Sequence, residues 1–256
     1  MSGIAWMLRP GRVVMISKDK IVKQLRGMLE HEPRIDLHHH RIGIDVDAEG
    51  SIIVEGEVAD VAAKKRCLEL AASIPDTSGI IDRLRVTPAE RMGDGEIRDR
   101  VRDALVEEPA FERCEIRSRP AAGAEVIREP AATSGGTIEF AVNEGVVTLD
   151  GVVESLTHKR LAGVLAWWVR GTRDVIDGLE VFPSQEDSDD DISEAIRLVL
   201  EKDPLVNAGL VRIKTRDAVV NLEGLVANDQ ERHAAETDAW CVFGVNQVVN
   251  RLEVRP

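Results

Sequence analysis

The chain has 256 residues, a hydrophobic fraction of 43% and a net charge of −13. That length allows one large domain or two to three small ones, and the acidity argues against a general nucleic-acid binder, which needs a basic field to meet phosphate. Aromatic residues are only 3% and Tyr is absent, so any core must be built from Val, Ile, Leu and Ala.

The first residues, MSGIAWMLRPGRVVMISKDK, do not read as an export signal. Arg9, Pro10, Gly11 and Arg12 interrupt the apolar run such a signal needs. Residues 1–17 read as an N-terminal extension, with Met15 as a second candidate initiator. No stretch approaches the ~20 apolar residues of a membrane span. The expectation is a soluble, cytoplasmic protein, with a periplasmic or membrane-peripheral location as the alternative. Cys67, Cys114 and Cys241 are far apart and form no CxxC pair, so neither a disulfide framework nor a structural zinc site is expected.

From residue 18 onward the chain repeats. Three helices are predicted with apolar residues on one face: Ile21, Leu25 and Leu29; Ile97, Val101 and Leu105; Ile192, Ile196 and Leu200. Each stops before an acidic-Pro step at Pro33, Pro109 or Pro204, because the residue before proline is pushed out of the α region. Each is followed by two alternating runs around a short turn: RIGIDV and SIIVEG, TIEFAV and VVTLDG, LVRIKT and VVNLEG. These read as β-hairpins.

The second run of each pair carries Gly56, Gly151 or Gly224. Four residues on stand Asp60, Ser155 and Asn228, all preferred N-caps of a second helix. Asn228 with Glu231 suggests a capping box. Small residues follow at Cys67, Ala162 and Ala235 and at Ala71, Ala166 and Ala239, a stripe that lets this helix sit close on a sheet. A final strand contains Asp82-x-Leu84, Asp177-x-Leu179 and Asn250-x-Leu252. The predicted fold is α+β: three tandem αββαβ modules, each a three-stranded sheet with two helices packed on one face. Their limits are 18–88, 94–183 and 189–256. From Pro to Gly the distances are 23, 42 and 20 residues, so the middle module carries an insertion of about 22. Its Ala/Pro/Gly-rich sequence, RSRPAAGAEVIREPAATSGG, reads as an inserted flexible loop at about 117–136.

The repeat resembles the BON domain, the bacterial OsmY and nodulation module. The residues that carry the resemblance are VVTLDGVV and VVNLEGLV, then WWVRGTRDVIDGLEV and WCVFGVNQVVNRLEV. Their signature positions are Gly171, Gly244, Asp177 and Asn250, with Asp82 in the first, most divergent copy. The resemblance implies a non-enzymatic, envelope- or stress-associated protein that binds anionic phospholipid surfaces, without a cofactor. The alternative is a soluble scaffold or cation-sensing protein that binds protein partners and no lipid.

Two sets of residues suit the lipid reading. Basic pairs open the second helix of each module: Lys64-Lys65, Lys159-Arg160 and Arg232-His233. Repeated cations could meet head groups; they could equally be a solvated helix face. Trp167 and Trp240 share one repeat position and suit an interfacial anchor, or else core packing between units. His38 and His40, expected at a strand start, do not complete a metal set, and no metal site is assigned. The run Glu186–Asp191 reads as a linker whose last residues cap the next helix. No GxSxG, P-loop, GxGxxG or HExxH pattern occurs, and no catalytic residue is assigned. The oligomeric state is not legible.

Overall fold

The computed structural model describes residues 18–119, 123, 125–130 and 135–255. The N-terminal extension lies outside the described residues. Module 1 runs α1 (Lys18–Glu30), β1 (Ile42–Val46), β2 (Ser51–Val58), α2 (Val61–Ala72) and β3 (Gly79–Val86). Module 3 repeats it as α5 (Asp189–Lys202), β10 (Val211–Arg216), β11 (Val219–Val226), α6 (Asp229–Cys241) and β12 (Gln247–Val254). In both, the hairpin strands pair antiparallel and the second helix carries the chain to a third strand parallel to the second. The expected α+β class and its three modules are observed.

The repeat residues explain why these elements form. The first-helix stripes, the small second-helix residues and Leu84, Leu179 and Leu252 are all buried. Each fully buried Leu or Ile contributes on the order of 1.5–3 kcal/mol. Asp60, Ser155 and Asn228 each accept a hydrogen bond from the backbone three residues on, capping α2, α4 (Leu156–Trp168) and α6. Asp82, Asp177 and Asn250 each accept from the amide of the following Leu at 2.9, 3.1 and 3.0 Å, fixing the last strand.

The signature glycine has a steric cause. Gly56, Gly151 and Gly224 have φ of +123°, +120° and +138°. A Cβ there would lie 2.1, 2.1 and 2.0 Å from the carbonyl oxygens of Arg41, Thr137 and Leu210, where the facing strand begins. No side chain fits so close an approach.

The proposed capping box at Asn228 does not form. Glu231 instead accepts from Asn207 N at 2.9 Å and Ala227 N at 2.7 Å, tying α6 to the segment before β10. The box belongs to α5, where Ser188 and Asp191 cap each other's backbone as the acidic-run reading expected. Asp189 goes further: its carboxylate accepts from Asp217 N at 2.7 Å and Ala218 N at 2.9 Å in the β10–β11 turn. Asp94 does the same for Glu144 N and Gly145 N in module 2.

Module 2 departs from the expected plan. It comprises α3 (Asp94–Glu107), β4 (Glu115–Ser118), β5 (Glu125–Arg128), β6 (Gly136–Asn143), β7 (Val146–Val153), α4, β8 (Asp174–Asp177) and β9 (Glu180–Val181). The last two together take the place of β3 and β12, both pairing parallel with β7. The insertion is only partly loop. β4 pairs parallel with β6, and β5 pairs antiparallel with β4, so two strands extend the sheet to the order β5-β4-β6-β7-β8. Ile116 and Ser118 alternate inward into the core, and Arg128 staples β5 down by donating to Val106 O at 2.8 Å.

The modules are not beads on a string. One apolar core runs continuously through modules 1 and 3 and takes in Val164 of α4. Module 2 has its own core, against which Leu198 of α5 packs. Trp168 touches both.

Candidate functional site

The eight residues expected to face a lipid or partner surface are distributed unevenly. Lys64 is buried, and its ammonium donates to Leu84 O at 2.8 Å and Asp174 Oδ1 of module 2 at 2.7 Å, with Asp82 at 2.8 Å. Arg85 closes the same group on Asp174 Oδ2 at 2.7 Å. Asp174 is itself buried, so two cations and two carboxylates neutralise one another at the module 1–2 contact. The backbone joins there too, Val86 N donating to Arg173 O at 2.7 Å.

Lys65 reaches module 3. Its Nζ donates to Val242 O at 2.9 Å and Val245 O at 3.2 Å, the turn between α6 and β12. Burial of this ammonium pushes its pKa down to about 8. Arg160 grips the same turn from the other side: Nε donates to Phe243 O at 3.0 Å and Nη2 to Asp187 at 2.5 Å. Its side chain is 0% exposed. Lys159 sits 4.8 Å over the Phe243 ring and donates to Leu179 O at 2.8 Å, the counterpart of the Lys64–Leu84 bond. The module 3 turn is therefore held by cations from both other modules.

Trp240 is buried, with the Arg34 guanidinium of module 1 stacked 5.7 Å from its ring centre. Arg34 also pairs with Glu236 of α6. Trp167 is half-buried. Its neighbour Trp168, not singled out by the repeat, donates from Nε1 to Asp238 Oδ1 of module 3 at 2.8 Å. Lys202 of α5 reaches Glu108 of module 2 at 2.9 Å. Arg232 and His233 alone of the basic pairs stand exposed, Arg232 bonded to Asp229 at 2.8 Å.

His38, His39 and His40 lie in a turn ahead of β1 rather than in a strand. The Asp36 carboxylate accepts from the amides of His38 and His39 and from the His39 ring, which hold its pKa down at about 2. No group of three metal-ligating side chains occurs among the described residues. All three thiols are buried, and burial raises those of Cys67 and Cys241 to about 12, leaving them protonated and unreactive near neutrality. No helix among the described residues is long and apolar enough to cross a membrane.

A hairpin, a crossover helix with a small-residue stripe and a parallel third strand, built three times around a glycine at positive φ, define a tandem array of small α+β modules. The BON domain family model matches residues 17–88, 123–183 and 188–256, and the chain belongs to that family. Among characterised proteins it is similar to the osmotically-inducible protein Y of Escherichia coli, at 33% identity over 124 residues. That match takes in 46% of this chain and 62% of the relative, so the chain spans less than two thirds of that protein's length. Among solved structures it matches the C-terminal domain of CdsD, a structural protein of the type III secretion system of Chlamydia trachomatis. That match covers 94% of this chain and 100% of that one, at 11% identity and a TM-score of 0.24. A second CdsD structure gives the same identity and score over 92% of each chain.

Proposed function

We propose that this chain is a non-enzymatic, stress-associated binding protein whose three BON modules form one platform for protein partners, working away from lipid. The stress association rests on the likeness to the osmotically-inducible protein. The observation that carries the choice of partner is the position of Lys64, Lys65, Lys159 and Arg160. These cations hold modules together and are not available to head groups. What remains outside is a surface on a chain of net charge −13, which an anionic bilayer repels. Such a platform gains stiffness from the module contacts, and a stiff surface loses less entropy on binding a partner.

One observation favours the lipid reading: Arg232 and His233 are exposed at the start of α6. Cosedimentation of the full chain with phosphatidylglycerol vesicles, against phosphatidylcholine vesicles, separates the two. The platform reading predicts that the protein stays in the supernatant with both. Pelleting with phosphatidylglycerol alone, abolished by Arg232→Glu with His233→Glu, would establish lipid binding instead.

A further inference from the structure

In each module the first hairpin strand is an edge of the three-stranded sheet, and in module 2 that edge is taken. There β4 lies parallel along β6 over Thr137–Phe140, and Phe140 O accepts from Arg119 N at 2.8 Å. Glu139, on the face of β6 away from the core, pairs with Arg119 just past the added strand. Among the described residues β1 and β10 have a partner strand on one side only.

β10 is the counterpart of β6. Ile138 faces Gly151 as Val211 faces Gly224, so Arg212 stands where module 2 has Glu139, and Lys214 where it has Ala141. Arg212, Lys214 and Arg216 alternate along one face of β10, all exposed, and the charge of the edge is reversed. In β1 the same places hold Gly43 and Asp45, and Asp45 pairs with Lys18 of its own module. Arg212 and Lys214 have no carboxylate partner among the described residues. Glu223, which faces Arg212, is engaged with Arg251 at 3.5 Å, and Asp217 lies 3.9 Å from Arg216.

We propose, on the reading of the chain as a protein platform, that the free edge of β10 takes up an extended acidic segment of a partner protein as a fourth strand. Backbone pairing supplies the contact along Leu210–Ile213, the counterpart of the stretch that β4 covers. Farther along, Ser193 Oγ of α5 accepts from Thr215 N at 3.2 Å and closes the edge. Side chains two residues apart on a strand share a face about 7 Å apart. Carboxylates at alternate positions of the segment therefore meet Arg212 and Lys214. At the start of β10 a cleft of about 380 Å³, lined by Arg197 of α5 and the exposed Leu210, offers a third cation and an apolar seat. A second copy of β10 does not suit this edge, because like charges opposite each other destabilise a strand pair.

The test is fluorescence anisotropy of rhodamine-labelled peptides of about ten residues titrated with the full chain. A peptide alternating Val and Glu should bind saturably, and one alternating Val and Lys should not. A central Pro in the first peptide removes a backbone donor and should abolish binding. Arg212→Glu with Lys214→Glu should weaken it about tenfold or more, the scale of two surface ion pairs lost and turned repulsive. Arg212→Gln with Lys214→Gln, which keeps two long polar side chains, should weaken it too. Lys20→Glu with Lys23→Glu, equally exposed on α1, should leave it unchanged. No binding of the Val–Glu peptide overturns the assignment, as does binding that survives the proline or the charge reversal in β10. A wild-type dimer in sedimentation velocity that this reversal dissolves would put a second copy on the edge instead. Pelleting with phosphatidylglycerol vesicles would sink the platform reading and this edge assignment with it. Peptide failure with the protein left in the supernatant sinks the β10 assignment alone.

Discussion

Replacing Arg160 by Ala separates two ideas about what the repeated cations do. Arg160 is fully buried and makes two charge-assisted bonds, one across the module 2–3 contact to Phe243 O and one to Asp187 in the linker ahead of α5. Removing one partner of a buried charge pair costs about 3–5 kcal/mol. Asp187 is 40% exposed, so water takes over part of its lost partner and that term is discounted. The Phe243 carbonyl left without a donor costs about 1–3 kcal/mol. A net loss of about 3 kcal/mol follows, and for a chain of this size that is a fall of about 6–12 °C in melting temperature. Arg232 belongs to the equivalent basic pair of module 3, at the position of Lys159, and is exposed and paired only within its helix, so Arg232→Ala should cost no more than about 0.5 kcal/mol. Differential scanning calorimetry of both variants provides the comparison. Equal small shifts, within about 1 °C, would mean that Arg160 faces solvent as Arg232 does, and the account of the module contacts would be wrong.

Gly151→Ala should cost at least about 3 kcal/mol, seen as a lower denaturant midpoint or as insoluble protein, because its Cβ would collide with Thr137 O. Ala218→Gly should act in the opposite direction. Ala218 sits at φ 59° in the β10–β11 turn, so glycine there should raise stability by about 1 kcal/mol in urea unfolding. Asp238 also imposes a pH dependence. Its folded pKa of about 8 lies above the unfolded value of 3.8, so between these the folded chain keeps a proton that the unfolded chain has released. Stability therefore declines as pH rises through that window, with the whole cost present above pH 8. Asp238→Asn should flatten that slope in melting curves between pH 5 and 9, and should raise stability at pH 8.

Most of the fold was written in residue periodicity. The stripes beginning at Ile21, Ile97 and Ile192, the hairpin alternations and the Asp/Ser/Asn caps are local signals, and local physics satisfies them. The two strands of the insertion were hidden because Ala, Pro and Gly dominate RSRPAAGAEVIREPAATSGG. The inward alternation of Cys114, Ile116 and Ser118 was the available cue. The destinations of Lys64, Lys65 and Arg160 were not legible. A cation at the start of a helix looks the same in sequence whether it meets water or the carbonyls of another module. Which of these happens depends on how the modules pack, and no local pattern records that. Trp168 and Asp238 were passed over for the same reason: their partnership joins residues 70 positions apart.

Lys64 and Lys65 lie inside module contacts. Amine labelling of the native full chain, read lysine by lysine by mass spectrometry, tests it directly. Lys64 and Lys65 should react far more slowly than the exposed Lys20, Lys23 and Lys214, and should catch up on denaturation. Labelling of Lys64 and Lys65 at the rate of those exposed lysines in the native protein would contradict it.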